Sequence, residues 1–153
     1  MTLNEKTAEI LNDLIEINND RVHGYEKASK ETNTKDADLR SLFDDMATDS
    51  RRYANELSQF VRDRGETPSD GTTLRGKLYR AWMDVKATFS GSDRKAILAS
   101  CEFGEDAAQR AYKDALGSDA EIPAEVRQVI VDQQSSLKQS HDRIKRMRDS
   151  QPA

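Results

Sequence analysis

From Leu3 to about Thr32, the apolar residues Leu3, Ile10, Leu14, Ile17, Tyr25 and Ala28 recur at intervals of three and four or their multiples. Leu11, Ile15 and Val22 lie on the flank of the same stripe, and the period is that of a helix with one buried face. The pattern predicts a helix over 3–32. Asn33 and Thr34 interrupt it, and Thr34 is placed to cap a second helix whose first turn carries Asp36 and Asp38, as the helix dipole prefers. Leu39, Leu42, Phe43, Met46, Ser50, Tyr53, Ala54, Leu57, Phe60 and Val61 then form the cleanest stripe in the chain. This second helix is predicted over 35–64, ended by Gly65 as a C-terminal cap.

Glu66 to Thr73 (ETPSDGTT) reads as a loop, followed by a shorter helical pattern on Leu74, Leu78, Ala81, Trp82, Val85 and Phe89. After Gly91, Ser92 can cap a third long helix through Ile97, Leu98, Cys101, Ala108, Ala111, Tyr112, Ala115 and Leu116, predicted over 92–117. Pro123 suits the first turn of a fourth, over 123–150, on Val126, Val129, Ile130, Leu137, Ile144 and Met147.

Helices of about 25 to 30 residues are roughly 40 Å long and pack side by side. The links near 33 and 120 are short, so each joins an antiparallel pair. The segment between 65 and 91 is long enough to travel the length of a bundle, and the Trp82 helix over 74–89 offers an apolar face to lie against it. Two hairpins joined by one long crossover make the ferritin-like arrangement of an all-α four-helix bundle.

Composition agrees only once this pattern is known. The chain has 153 residues and 17.3 kDa, the size of one domain, so 1–153 is expected to form a single bundle. Charged residues make up 34%, and Leu, Ile, Val and Phe only roughly 18%, which by itself leans toward disorder. Narrow stripes on long helices need few apolar residues, and the net charge is only −4. That balance lacks the positive excess of a nucleic-acid binder, and no apolar run spans a bilayer, so neither nucleic acid nor membrane is an expected partner. A single Cys101 excludes an internal disulfide framework, and Met1 to Ile10 lacks a basic and then apolar leader, so the expected compartment is the cytoplasm.

The runs LNDLIEINND from Leu11, GYEKA at Gly24 to Ala28, LYRAWMDVKATFSG at Leu78 to Gly91, AILASCEFGEDAAQRAY at Ala96 to Tyr112 and HDRIKRMRD at His141 to Asp149 carry a resemblance across nearly the whole chain. It is to an uncharacterised bacterial family of ferritin-like four-helix-bundle proteins, catalogued as a domain of unknown function. The resemblance implies a fold and a distant kinship to ferritins and rubrerythrins. It implies no established activity.

A ferritin-like di-iron centre needs a Glu from each of two helices and a Glu-x-x-His from each of the other two, all pointing inward. At about 100° per residue, Asn18 and Arg21 fall inside the first stripe, Ser50 inside the second and Glu105 inside the third. Gln133, Gln134, Ser140 and His141 fall within or beside the fourth. Counting from the hairpins sets Asn18 near Ser50, Glu105 near Gln134, and Glu102 near Lys138 and His141. The expected buried polar layer is therefore Asn18, Arg21, Ser50, Glu105, Gln134 and His141. Its composition is wrong for two irons: Ser50 and Tyr53 stand where helix two would supply Glu-x-x-His, and helix four reads Lys138-x-x-His141. A buried Glu105 needs a partner, which Arg21 can supply. The competing reading is a single iron or manganese ion on Glu102, Glu105 and His141.

Other motifs carry less. Asp20-x-x-His23 has the spacing of two ligands, but both residues are expected on a solvated face. Gly71 to Lys77 (GTTLRGK) matches part of a phosphate-binding loop, yet Leu78 replaces the Ser or Thr and no strand precedes it. Cys101 and Trp82 are expected as packing residues, and Arg143, Lys145, Arg146 and Arg148 as a solvated helix end. The resulting expectation is a non-enzymatic bundle protein without a cofactor, stress-associated by family likeness, self-associating as a dimer with Tyr79 and Met83 available to a partner. The alternative is an iron or manganese protein with oxidase or storage activity.

Overall fold

The computed structural model describes residues 4–32, 34–70 and 94–151. The predicted crossover helix over 74–89, with Tyr79, Trp82 and Met83, and the GTTLRGK match lie outside these residues. Four helices are described: α1 (Glu5–Glu31), α2 (Ala37–Asp63), α3 (Arg94–Leu116) and α4 (Ala124–Asp149). Each agrees with its stripe to within about two residues at either end, the usual scatter of frayed termini.

The helix ends follow local chemistry. Asn4 caps α1, its side chain accepting from the Thr7 amide at 2.8 Å. The expected cap of α2 at Thr34 is not formed; Asp36 holds that position and makes no side-chain capping bond. At the other end of α2 the chain turns at Gly65, with φ +91°, a left-handed conformation that glycine adopts without penalty. The Glu66 amide donates to Val61 O at 3.2 Å and the Gly65 amide to Arg62 O at 2.8 Å, the paired bonds of a Schellman turn.

α1 packs along α2 and α3 along α4, while α1 also meets α3 and α2 meets α4. The cross-bundle contacts fix direction. Along α1, residues 6, 18 and 21 face residues 119, 112 and 105, so α1 and α3 are antiparallel. With both hairpins antiparallel, α2 and α3 run the same way on one diagonal, and the long crossover joining them makes the bundle ferritin-like. Two contacts join the start of α1 to the α3–α4 link. Lys6 pairs with Asp119, and Thr7 Oγ1 donates to Glu121 O at 3.1 Å.

The apolar interior falls into two clusters. One gathers Leu11, Leu14, Leu57, Val61, Val126, Ile130 and Leu137; the other Leu39, Phe43, Met46, Ile97, Leu98, Cys101 and Ile144. Between them, all four helices contribute polar side chains.

Candidate functional site

The mid-bundle layer is built on one inward position from each of three helices. Arg21 of α1 is 1% exposed, and Ser50 of α2 and Glu105 of α3 are fully buried. Arg21 Nη2 lies 2.5 Å from Glu105 Oε1, and Arg21 Nη1 donates to Ser50 Oγ. The Tyr25 hydroxyl, one turn along α1, donates to the same Glu105 oxygen. The guanidinium also lies 5.4 Å from the centre of the Tyr25 ring, which in turn packs on Phe43. Burial is the largest influence on Arg21 and would lower its pKa, but the charge and hydrogen bond of Glu105, together with Tyr25 and Tyr112, outweigh it and the net direction is upward. Burial, reinforced by Glu105, raises Tyr25 well above the ordinary phenol range. The layer thus holds a fixed cation, a carboxylate and a neutral phenol. Glu105 Oε2 and Arg21 Nε find no hydrogen-bond partner among the described residues.

A second polar chain runs through all four helices. Asn18 Nδ2 donates to Tyr112 Oη at 2.8 Å, and Tyr112 Oη donates to Gln133 Oε1 at 2.6 Å. Gln133 Nε2 then reaches Tyr53 O at 3.3 Å and Glu56 Oε1 at 3.0 Å. Burial pushes the Tyr112 hydroxyl above its ordinary pKa and keeps it a neutral donor.

Several sequence expectations need correction. Asn18 faces Tyr112 rather than the level of Ser50, which belongs to Arg21. Gln134 is half-buried, and the neighbouring Gln133 is the interior residue, because the stripe Val126, Ile130, Leu137, Ile144 points Gln133 inward. His141 sits at the rim, 20% exposed, facing Asp106 rather than the interior. The expected ligand set Glu102, Glu105 and His141 does not converge, since Glu105 points to Arg21 while Glu102 faces Arg148 and His141. Asp20 is fully buried rather than solvated, whereas His23 is exposed as expected. Tyr25 and Tyr112 were missed as polar participants, and Gln133, placed within or beside the fourth stripe, was passed over for Gln134. The signal available for the tyrosines was the hydroxyl, which seeks a partner when its ring is buried.

Fold and interior together define a ferritin-like four-helix bundle. The residues of its mid-bundle layer do not fit a di-iron centre, which needs four inward carboxylates and two imidazoles. Among the described residues that layer offers one carboxylate, already neutralised by a guanidinium, with a serine on α2. Residues 6–118 match the family model described as Domain of unknown function (DUF2383), and the chain belongs to that family. Among solved structures it is similar to a mutant of Dps1 from Mycobacterium smegmatis, at 14% identity and a TM-score of 0.80, covering 95% of this chain and 99% of that one. No curated protein matches the chain. No described helix is long and apolar enough to cross a membrane.

Proposed function

We propose that this chain is a non-enzymatic, cytoplasmic ferritin-like bundle protein in which an internal ion pair occupies the level at which a di-iron protein carries its metals. The observation that supports this reading is the Arg21–Glu105 pair at 2.5 Å, with both side chains out of solvent. A permanent cation there repels a metal ion and uses the carboxylate that would bind one. Its role is that of a register device, because a buried pair must find its partner and so disfavours helices slipped by a turn. Function then lies in what the bundle associates with. The reading carries self-association as a dimer and a stress association suggested by family likeness.

Oxygen uptake after addition of ferrous iron tests the absence of ferroxidase chemistry, with the uncatalysed background rate expected. A rate well above background that Arg21→Met or Glu105→Gln alters would overturn the reading. Light scattering across micromolar concentrations tests self-association, and a constant monomer mass would remove it. A deletion strain indistinguishable from its parent under oxidative, starvation and osmotic challenge would remove the stress association.

A further inference from the structure

Two carboxylates and an imidazole converge on the seam between α3 and α4, on the rim of the bundle and away from the Arg21–Glu105 pair. Glu102 and Asp106 stand four residues apart on α3 and so share one helix face. His141 reaches them from α4, and one ligand atom from each of the three lies within 4.8 Å of the others. His141 Nε2 is 2.5 Å from Asp106 Oδ1, while its Nδ1 is 3.2 Å from Asp142 Oδ1. One ring nitrogen is thus held by an outer carboxylate and the other aimed at the cluster, the arrangement that orients metal-ligating histidines. Glu102 is mostly buried, and its Oε2 is withdrawn from solvent without a hydrogen-bond partner among the described residues. Its counter-charge is Arg148 Nη1, which faces it as an ion pair out of hydrogen-bonding alignment.

We infer that Glu102, Asp106 and His141 form a site for one divalent transition-metal ion, bridging α3 and α4, with Asp142 orienting the imidazole. One imidazole nitrogen and two carboxylate oxygens are a donor set suited to zinc and its first-row neighbours, with a fourth position open to water. The ion would take the place of the proton shared by Asp106 and His141 and displace Arg148 from Glu102. No residue of α1 or α2 takes part, so the site is separate from a mid-bundle di-iron centre. A failed outcome leaves the ferrous-oxidation test above unaffected.

The test is calorimetric titration of the untagged, chelator-stripped full chain with zinc chloride, and with cobalt(II) for its visible spectrum. One ion per chain is expected, with a thermal midpoint that rises with zinc concentration. His141→Gln, which preserves side-chain bulk, abolishes the cobalt spectrum of the site, and Asp142→Asn weakens binding by roughly tenfold. Arg148→Ala tightens it by removing the competing guanidinium, a gain that a merely disrupted fold would not produce. The assignment is overturned by absence of saturable binding up to millimolar zinc, or by binding that His141→Gln and Arg148→Ala both leave unchanged.

Discussion

Arg21 and Glu105, on neighbouring antiparallel helices, meet at 2.5 Å between two apolar clusters, with neither side chain exposed by more than 1%. Removing two charges from water is expensive, and their attraction repays it only when both partners are present. Arg21→Met or Glu105→Leu alone is expected to cost about 3–5 kcal/mol, because each leaves one buried charge unpaired. The double variant should cost far less than the sum. Urea unfolding of the three variants measures this, and additive losses would show that the two residues do not act as a pair.

Cys101 lies one turn before Glu105 and is fully buried. Burial, reinforced by the Glu105 charge, pushes the thiol well above its ordinary pKa. A protonated, inaccessible thiol is a poor nucleophile. Labelling by a thiol reagent at neutral pH should proceed at the rate of unfolding and accelerate with urea. Stoichiometric labelling within seconds of mixing in native buffer would contradict this placement.

Arg94, the first described residue of α3, bonds Asp38 at 2.8 Å and Asp36 at 3.2 Å, tying the beginning of α3 to that of α2. The hydrogen bond from Arg94 holds the Asp38 carboxyl below its ordinary value. A depressed folded-state pKa stabilises above the unfolded value of 3.8 and is lost as pH falls through the folded one. Stability should therefore drop in acid below about pH 4, and Arg94→Ala should flatten that part of the curve. Asp38 is exposed and Arg94 partly so, so 1 M salt should also diminish the difference.

Gly65 ends α2 at φ +91°, and an added Cβ would meet nothing within 4 Å among the described residues. Any cost of substitution therefore comes from the backbone. Gly65→Ala is expected to lose about 1–2 kcal/mol, and Gly65→Asn less, because asparagine tolerates the left-handed region. Equal losses in thermal or urea unfolding would point to a packing origin.

The helices and their buried faces were legible along the chain because a 3.6-residue period survives in any long amphipathic helix. The stripe Leu39, Leu42, Phe43, Met46 needed nothing beyond its own spacing. The same spacing brought Asn18, Arg21, Ser50 and Glu105 to inward-facing positions. It assigned Gln134 the interior position that Gln133 occupies, since adjacent residues differ by about 100° and a stripe is about that wide.

Which side chain meets which was decided between helices. Periodicity gives an angle around each axis but no height relative to a neighbour, so Asn18 was set against Ser50 when Arg21 reaches it. A slide of one turn exchanges partners without disturbing either stripe. Asp20 was assigned to solvent by the pattern of its own helix, and its burial depends on what packs across that helix. The amino-acid sequence by itself determined an all-helical chain, the inward faces of its helices and the presence of charge among them. Only tertiary packing decided that Arg21 and Glu105 neutralise each other inside and that Glu102, Asp106 and His141 gather at the rim, because depth and pairing arise where helices from distant parts of the chain touch.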